Sequence, residues 1–309
     1  MKRLSVVIVF LLAIALIACG TSQNTGAAND TSDLTGDTPN PSIEPDHVST
    51  LLTSVDVSAP LSTVKICFIH HSTGSAWISS SSGGLGAALN ANNYYVTECD
   101  YGWDAEAGDN LGDRTDTVDW PEWFTDAKMP FVYANTAHFD YTNAISDPIG
   151  ENDIIMFKSC YPNSEVGGSI DDEKQIYMNL LNYFEQHQDK MFVLIVPPPE
   201  IVINSELLTR ELANWLADYE NGWLSSYDYY NVHVFDYYNV LTDPNNHHRV
   251  EGNQVVHTVS GSPVDAANPN ELYYYAGSDN HPTAEAHQKA TAEYATLLNA
   301  CYNIWQSSK

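Results

Sequence analysis

Short, continuously apolar runs alternate along this chain with longer stretches in which apolar residues recur every three or four positions. The short runs are Val64 to Ile69, Tyr94 to Cys99, Asp153 to Phe157, Met191 to Val196 and Val232 to Phe235. Runs of this length, apolar on both alternating faces, suit strands buried on both sides of a sheet. Gly84-Leu85-Gly86-Ala87-Ala88-Leu89 begins a short helix. Further helices are predicted where Ile176, Leu180, Tyr183, Phe184 and His187 share one face, and where Leu208, Leu212, Trp215, Leu216 and Tyr219 do. A last helix is predicted from about Thr283 to Tyr302, with Ala286, Ala290, Tyr294, Leu297 and Cys301 on its apolar stripe and Thr283 as N-cap. Buried strands separated by amphipathic helices imply a doubly wound, three-layer α/β/α domain around a mostly parallel five-stranded sheet. In such a sheet ligands bind beyond the carboxyl ends of the strands, and Ser72 follows the first strand closely.

Two stretches break this rhythm. About Asp104 to Gly150 is rich in aromatic residues, among them Trp120, Trp123, Phe124, Phe131, Tyr133, Phe139 and Tyr141. About Thr242 to Ala276 is rich in Asn, His and Pro, and its His247, His248 and His257 are expected in a polar surface loop. Long insertions with such aromatic content are expected to be ordered and to wall a site. No internal repeat is present.

The N-terminal segment has a different character. Lys2 and Arg3 precede an apolar run from Leu4 to Ala18, broken only by Ser5, that closes on Leu16-Ile17-Ala18-Cys19-Gly20. A positive start, a short apolar core and small residues at the cut are the layout of a secretory signal. The run is shorter than the roughly 20 residues that span a bilayer. Leu16-Ile17-Ala18-Cys19 also resembles a bacterial lipobox, which implies that Cys19 is lipidated and that the chain is exported and tethered to the cell envelope, touching the membrane through that anchor alone. From Thr21 to about Pro60 the composition is Thr, Ser, Asn, Asp, Gly and Pro, too polar to offset the entropy of ordering. The expected organisation is a signal peptide over 1–18, a flexible tether over 19–60 and one domain over 61–309.

Charge narrows the function classes. The chain has 12 Lys and Arg against 40 Asp and Glu, a formal net charge of −28. Nucleic acids and anionic membrane surfaces would repel it, and no basic patch counters this, so a nucleic-acid partner is excluded. If Cys19 is lipidated, Cys67, Cys99, Cys160 and Cys301 remain. An even number in an exported protein permits disulfides, yet Cys67, Cys99 and Cys160 lie in or beside strand-like runs, where buried free thiols are equally expected.

The candidate chemistry sits at opposite ends of the domain, in Cys67-Phe68-Ile69-His70-His71-Ser72-Thr73-Gly74 and Ser278-Asp279-Asn280-His281-Pro282-Thr283. A serine hydroxyl is a weak nucleophile until an imidazole takes its proton. Strand end and helix start can meet at one rim of a βα sheet. These segments, with Pro197-Pro198-Pro199 after the fourth strand, resemble the SGNH (GDSL-type) hydrolase superfamily over roughly residues 64 to 303. The resemblance implies a flavodoxin-like sheet and esterase, lipase or carbohydrate deacetylase activity. It implies Ser72 as nucleophile and, through its own N–H, an oxyanion donor. Gly102 would be a second donor, Asn163 a side-chain amide donor, and His281 the base. Independently of the resemblance, His70 and His71 alternate in facing, so one is expected to line the site while the other packs under a neighbouring helix, with His71 the candidate on the substrate side.

This chain departs from the family at several positions. His70-His71 stands where the family has Gly-Asp. Position 278 is a serine where the family has its acid, so either Asp279 orients His281 or a Ser–His dyad operates with Ser278 or a carbonyl holding the ring. Asn163 lies far past its strand, and Ser159 is the alternative for its slot. His70, His71, Asp279, His281 and His287 are of metal-ligating types, but none has the spacing of a known zinc motif. No metal or cofactor is expected. Trp77, Trp103 and Trp120 are read as either sugar-stacking or core residues. The expected activity is serine ester hydrolysis on a small ester or an O-acylated glycan, through an acyl-serine intermediate. The alternative is a non-catalytic glycan-binding lipoprotein on the same fold.

Overall fold

The computed structural model describes residues 54–159, 169–199, 206–259 and 281–309, and the backbone of a short strand at Asp46–Val48 (β1). The apolar runs form β2 (Val64–Ile69), β3 (Tyr94–Cys99), β4 (Ile154–Lys158), β5 (Met191–Ile195) and β6 (Val232–Phe235). They pair in the order β3-β2-β4-β5-β6, and every pair is parallel. The first strand in sequence thus has the second on one side and the third on the other, the flavodoxin-like order with its switch point between β2 and β4.

Alternation along each strand supplies a core to both faces of the sheet. Cys67, Ile69, Ile155, Phe157, Phe192 and Leu194 face α3 (Trp120–Trp123), α4 (Met129–Tyr133), α5 (Asp171–Gln186) and α6 (Glu206–Ala217). Ile66, Phe68, Ile154, Met156, Val193 and Ile195 face α1 (Thr73–Ile78), α2 (Leu85–Ala91), α7 (Tyr237–Thr242) and α8 (Ala284–Ser307). The chain is a three-layer α/β/α domain. Its long C-terminal helix has the stripe expected: Ala286, Ala290, Tyr294, Leu297 and Cys301 are all buried. The Thr283 hydroxyl caps the helix by accepting the Ala286 N–H at 3.3 Å. In α5 the buried set is Glu173, Tyr177, Leu180 and Phe184, with Ile176 and Tyr183 only partly covered, so the face lies closer to Tyr177 than the spacing predicts.

Three expectations are corrected. Residues 54–60 do not behave as tether: Val55 is buried and donates its N–H to the Asn253 carbonyl, and Asn303 donates to the carbonyls of Asp56 and Ser58. The unit that holds the described residues begins at Ile43. The polar stretch after β6 holds a hairpin, β7 (His247–Glu251) and β8 (Gln254–Val259), whose outer edge pairs with β1. Gly252 and Asn253 join its strands with φ of 58° and 67°, the two left-handed residues of a tight turn. His248 and His257 face each other across that hairpin and are buried, not on a surface loop. Finally, Trp120, Trp123 and Phe124 of the aromatic insertion are buried in the core and do not wall a cleft, while for Trp77, Trp103 and Trp120 the core reading, one of the two the sequence allows, is the one observed. Burying an aromatic of this size is worth about 2–3 kcal/mol, more than rim exposure would return.

Cys67, Cys99 and Cys301 are buried thiols, the first two with sulfurs 3.5 Å apart. Cys160 and the segment ending at residue 45 lie outside the described residues. Among the described residues no helix is long and apolar enough to cross a membrane.

Candidate functional site

Strand β2 ends at Ile69, and the His70 N–H makes one more bond to the sheet, to the Cys99 carbonyl at 3.0 Å. The chain then turns sharply. The Gly74 N–H closes back on the His71 carbonyl at 2.9 Å, and the Ala76 N–H reaches the Ser72 carbonyl at 3.2 Å to begin α1. Ser72 is the hinge of this turn, with φ 50° and ψ −99°. A side chain at positive φ costs of order 1–3 kcal/mol, and residues held there concentrate at functional sites. Gly74 makes the turn feasible, because a Cβ at that position would lie 2.5 Å from the His70 Cβ.

His281 arrives from the other end of the chain. It stands just ahead of Thr283, the cap of α8, so the geometry that starts the helix also fixes where the imidazole leaves it. Ser72 Oγ and His281 Nε2 are hydrogen-bonded, across 209 residues of sequence. Both side chains are partly accessible to solvent. They meet beyond the carboxyl end of β2, beside the switch point.

A buried charge at this rim was not singled out by the sequence motifs. Lys158, the last residue of β4, is fully buried at the other side of the switch point, and its ammonium donates to the Ser159 carbonyl at 2.8 Å. Its charge reaches two histidines. Burial, and then Lys158, bring His71 down to about 4. Burial, Lys158 and His281 bring His287 down to about 3. Both rings are neutral at pH 7. His71 stacks on Tyr101 with ring centroids 4.3 Å apart, and its Nε2 is hydrogen-bonded to Thr115 Oγ1 at 2.6 Å. His287 Nδ1 bonds the Tyr237 hydroxyl at 2.7 Å. The one sequence signal for Lys158 was a cation closing an apolar strand in a chain poor in Lys and Arg.

The remaining candidates divide into three groups. Ser159 is buried directly after β4, next to Lys158. Gly102 has the positive φ, 76°, of a turn after β3, but its N–H is given to Asp113 Oδ1 at 2.8 Å. The donor assigned to it from the resemblance is therefore spent on a carboxylate. Asp279, Ser278, Asn163 and Cys19 lie outside the described residues. Away from the pair, a cavity of about 360 Å³ opens at the β6 edge, lined by Tyr219, Tyr227, His233, His248, His257 and Cys301.

Compared with known proteins, the chain matches no protein-family model, no curated protein and no solved structure.

Proposed function

We propose that this chain is a serine ester hydrolase of SGNH-like design that acts on carboxylic esters through an acyl-serine intermediate. The observation that carries this reading is the hydrogen bond between Ser72 Oγ and His281 Nε2, made on a strained turn at the switch point of a parallel sheet. His281, protonated on Nδ1, accepts the Ser72 proton as Oγ attacks the ester carbonyl. The tetrahedral oxyanion collapses, the alkoxide leaves with the proton held on Nε2, and water reverses the sequence to free the acid.

The oxyanion needs donors aimed at it in advance, each worth roughly 3–4 kcal/mol of barrier. The Ser72 N–H, ahead of the first intrahelical bond of α1, is one. The buried Lys158 ammonium supplies the positive field at the rim of β4 that the engaged Gly102 N–H does not. Tyr101, exposed and stacked on His71, offers an aromatic platform beside the serine, which suits an O-acylated carbohydrate as substrate. Export and lipid anchoring through Cys19 rest on the lipobox-like segment and place that substrate in the cell envelope.

The test is labelling by a fluorophosphonate probe together with hydrolysis of p-nitrophenyl acetate. An adduct on Ser72, and loss of at least 10³-fold in kcat/KM in Ser72→Ala, are the expected results. An unlabelled Ser72, or a Ser72→Ala variant with full activity, would leave the glycan-binding module as the better account.

A further inference from the structure

A second cluster of chemistry lies on the other side of the Ser72 turn, toward the edge strand β3. Its organiser is Glu98, a carboxylate fully buried in that strand. Glu98 accepts the backbone N–H groups of Phe139, Asp140 and Tyr141, each at 3.1 Å, and its Oε2 meets His70 Nε2 at 3.3 Å. One carboxylate thus fixes both a histidine ring and the backbone of an aspartate. With Nε2 turned to Glu98, the nitrogen left to His70 is Nδ1, which is buried and has no hydrogen-bond partner. Asp100, 5 % exposed, receives the Ser75 hydroxyl on Oδ2 at 3.0 Å, while its Oδ1 is buried and also without a partner. The Asp140 side chain closes the group from the solvent side.

A nitrogen of His70 and one oxygen each of Asp100 and Asp140 lie within 4.8 Å of one another. Donors around one tetrahedral ion at about 2.1–2.2 Å are about 3.5 Å apart, so a pair at that limit has to close by about 1.3 Å, a movement the solvent-facing Asp140 side chain is free to make. Leaving such groups unsatisfied in the interior costs on the order of 1–3 kcal/mol each, more for a charged one. A proton shared between the two aspartates would satisfy one pair and leave the His70 lone pair as it is.

We propose that His70, Asp100 and Asp140 form a binding site for one divalent transition-metal ion, zinc or manganese, with Glu98 as the positioning carboxylate behind His70. A carboxylate holding one imidazole nitrogen so that the other faces a metal is a recurring arrangement in metal sites. The mixed imidazole and carboxylate set suits zinc or manganese better than calcium, which takes six to eight oxygens, or magnesium, which keeps most of its waters. The sequence conceals the site because its donors come from the end of β2, the end of β3 and the insertion after it. His70 is two residues before Ser72 and Ser75 three after, so the ion would pin the loop that carries the serine to β3. Nothing in the proposal requires that Ser72 be a nucleophile.

The test uses the full chain, stripped with EDTA, dialysed against zinc, manganese or calcium separately, and assayed by mass spectrometry of bound metal and by thermal unfolding. Expected are one zinc or manganese ion per chain, a rise in unfolding temperature with that ion, and at least tenfold weaker binding in both Asp140→Asn and Asp100→Asn. Asp140 is solvent-facing, so Asp140→Asn decides the matter alone should Asp100→Asn fail to fold. No stoichiometric zinc or manganese, calcium bound in their place, or wild-type affinity in Asp140→Asn would each overturn the proposal. Because metal content is read directly, its failure is distinct from that of the hydrolase reading.

Discussion

Ser72 holds its φ of 50° without the freedom of a glycine, and the turn around it is closed by two backbone bonds and by contact between Gly74 and His70. A side chain kept in such a conformation stores energy that a glycine would release. Ser72→Gly is therefore expected to be more stable than Ser72→Ala by about 1 kcal/mol or more, and no less stable than the wild type, read from urea midpoints. Equal midpoints for the two variants would mean the turn is not strained. Both variants are expected to lose ester hydrolysis, which would set stability against function at a single position. At this scale the sequence was informative where chemistry and position coincide. Ser72 and His281 were legible because one follows an apolar run and the other precedes a helix cap. Lys158 and Glu98 were not, because a lone charge inside a strand has no partner in sequence; their partners come from other segments.

At the scale of elements, the parallel strands and α8 were readable because burial on two faces and a helical stripe leave strong periodic signals. The β7–β8 hairpin was hidden by its polar residues, although Gly252-Asn253 is the kind of dipeptide that closes a two-residue turn. The face of α5 was misplaced because Tyr177, polar at its tip, is buried with its hydroxyl 3.3 Å from Thr117 Oγ1. Helix α8 makes the link to function explicit, since its cap lies two residues beyond His281. Removing the hydroxyl that accepts the Ala286 N–H in Thr283→Ala is expected to cost about 1 kcal/mol of stability. It is also expected to lower kcat for ester hydrolysis more than it raises KM, because the imidazole is displaced from Ser72. Thr283→Ser, which keeps the oxygen, is expected to restore both. A variant of unchanged stability would show that the cap bond contributes nothing.

For the whole molecule, the distribution of histidines matters more than their number. His71 and His233 are brought down to about 4 and His248 and His287 to about 3, in every case chiefly by burial. His248 has a specific reason to stay neutral: its Nδ1 accepts the Asp236 N–H at 2.8 Å, beside His257, which itself pairs with Asp236 at 2.6 Å. In the unfolded chain these rings titrate near 6.5, so below that pH the unfolded state binds more protons than the folded one. Stability is then complete above about pH 6.5 and declines as the pH falls toward 4 and 3. At pH 5 the penalty is roughly 2 kcal/mol per histidine, and four of them together rival the whole stability of an ordinary domain. Neutralising carboxylates on a chain of net charge −28 acts in the opposite direction, by relieving repulsion, but mostly below pH 5 where their own titration begins. The urea midpoint is therefore expected to drop steadily between pH 7 and pH 5. In His233→Phe, which removes a buried ring whose Nε2 has no partner, the same drop is expected to be shallower by about a quarter. A midpoint that is flat or rises over this range would mean that these rings take up protons without unfolding the core that surrounds them.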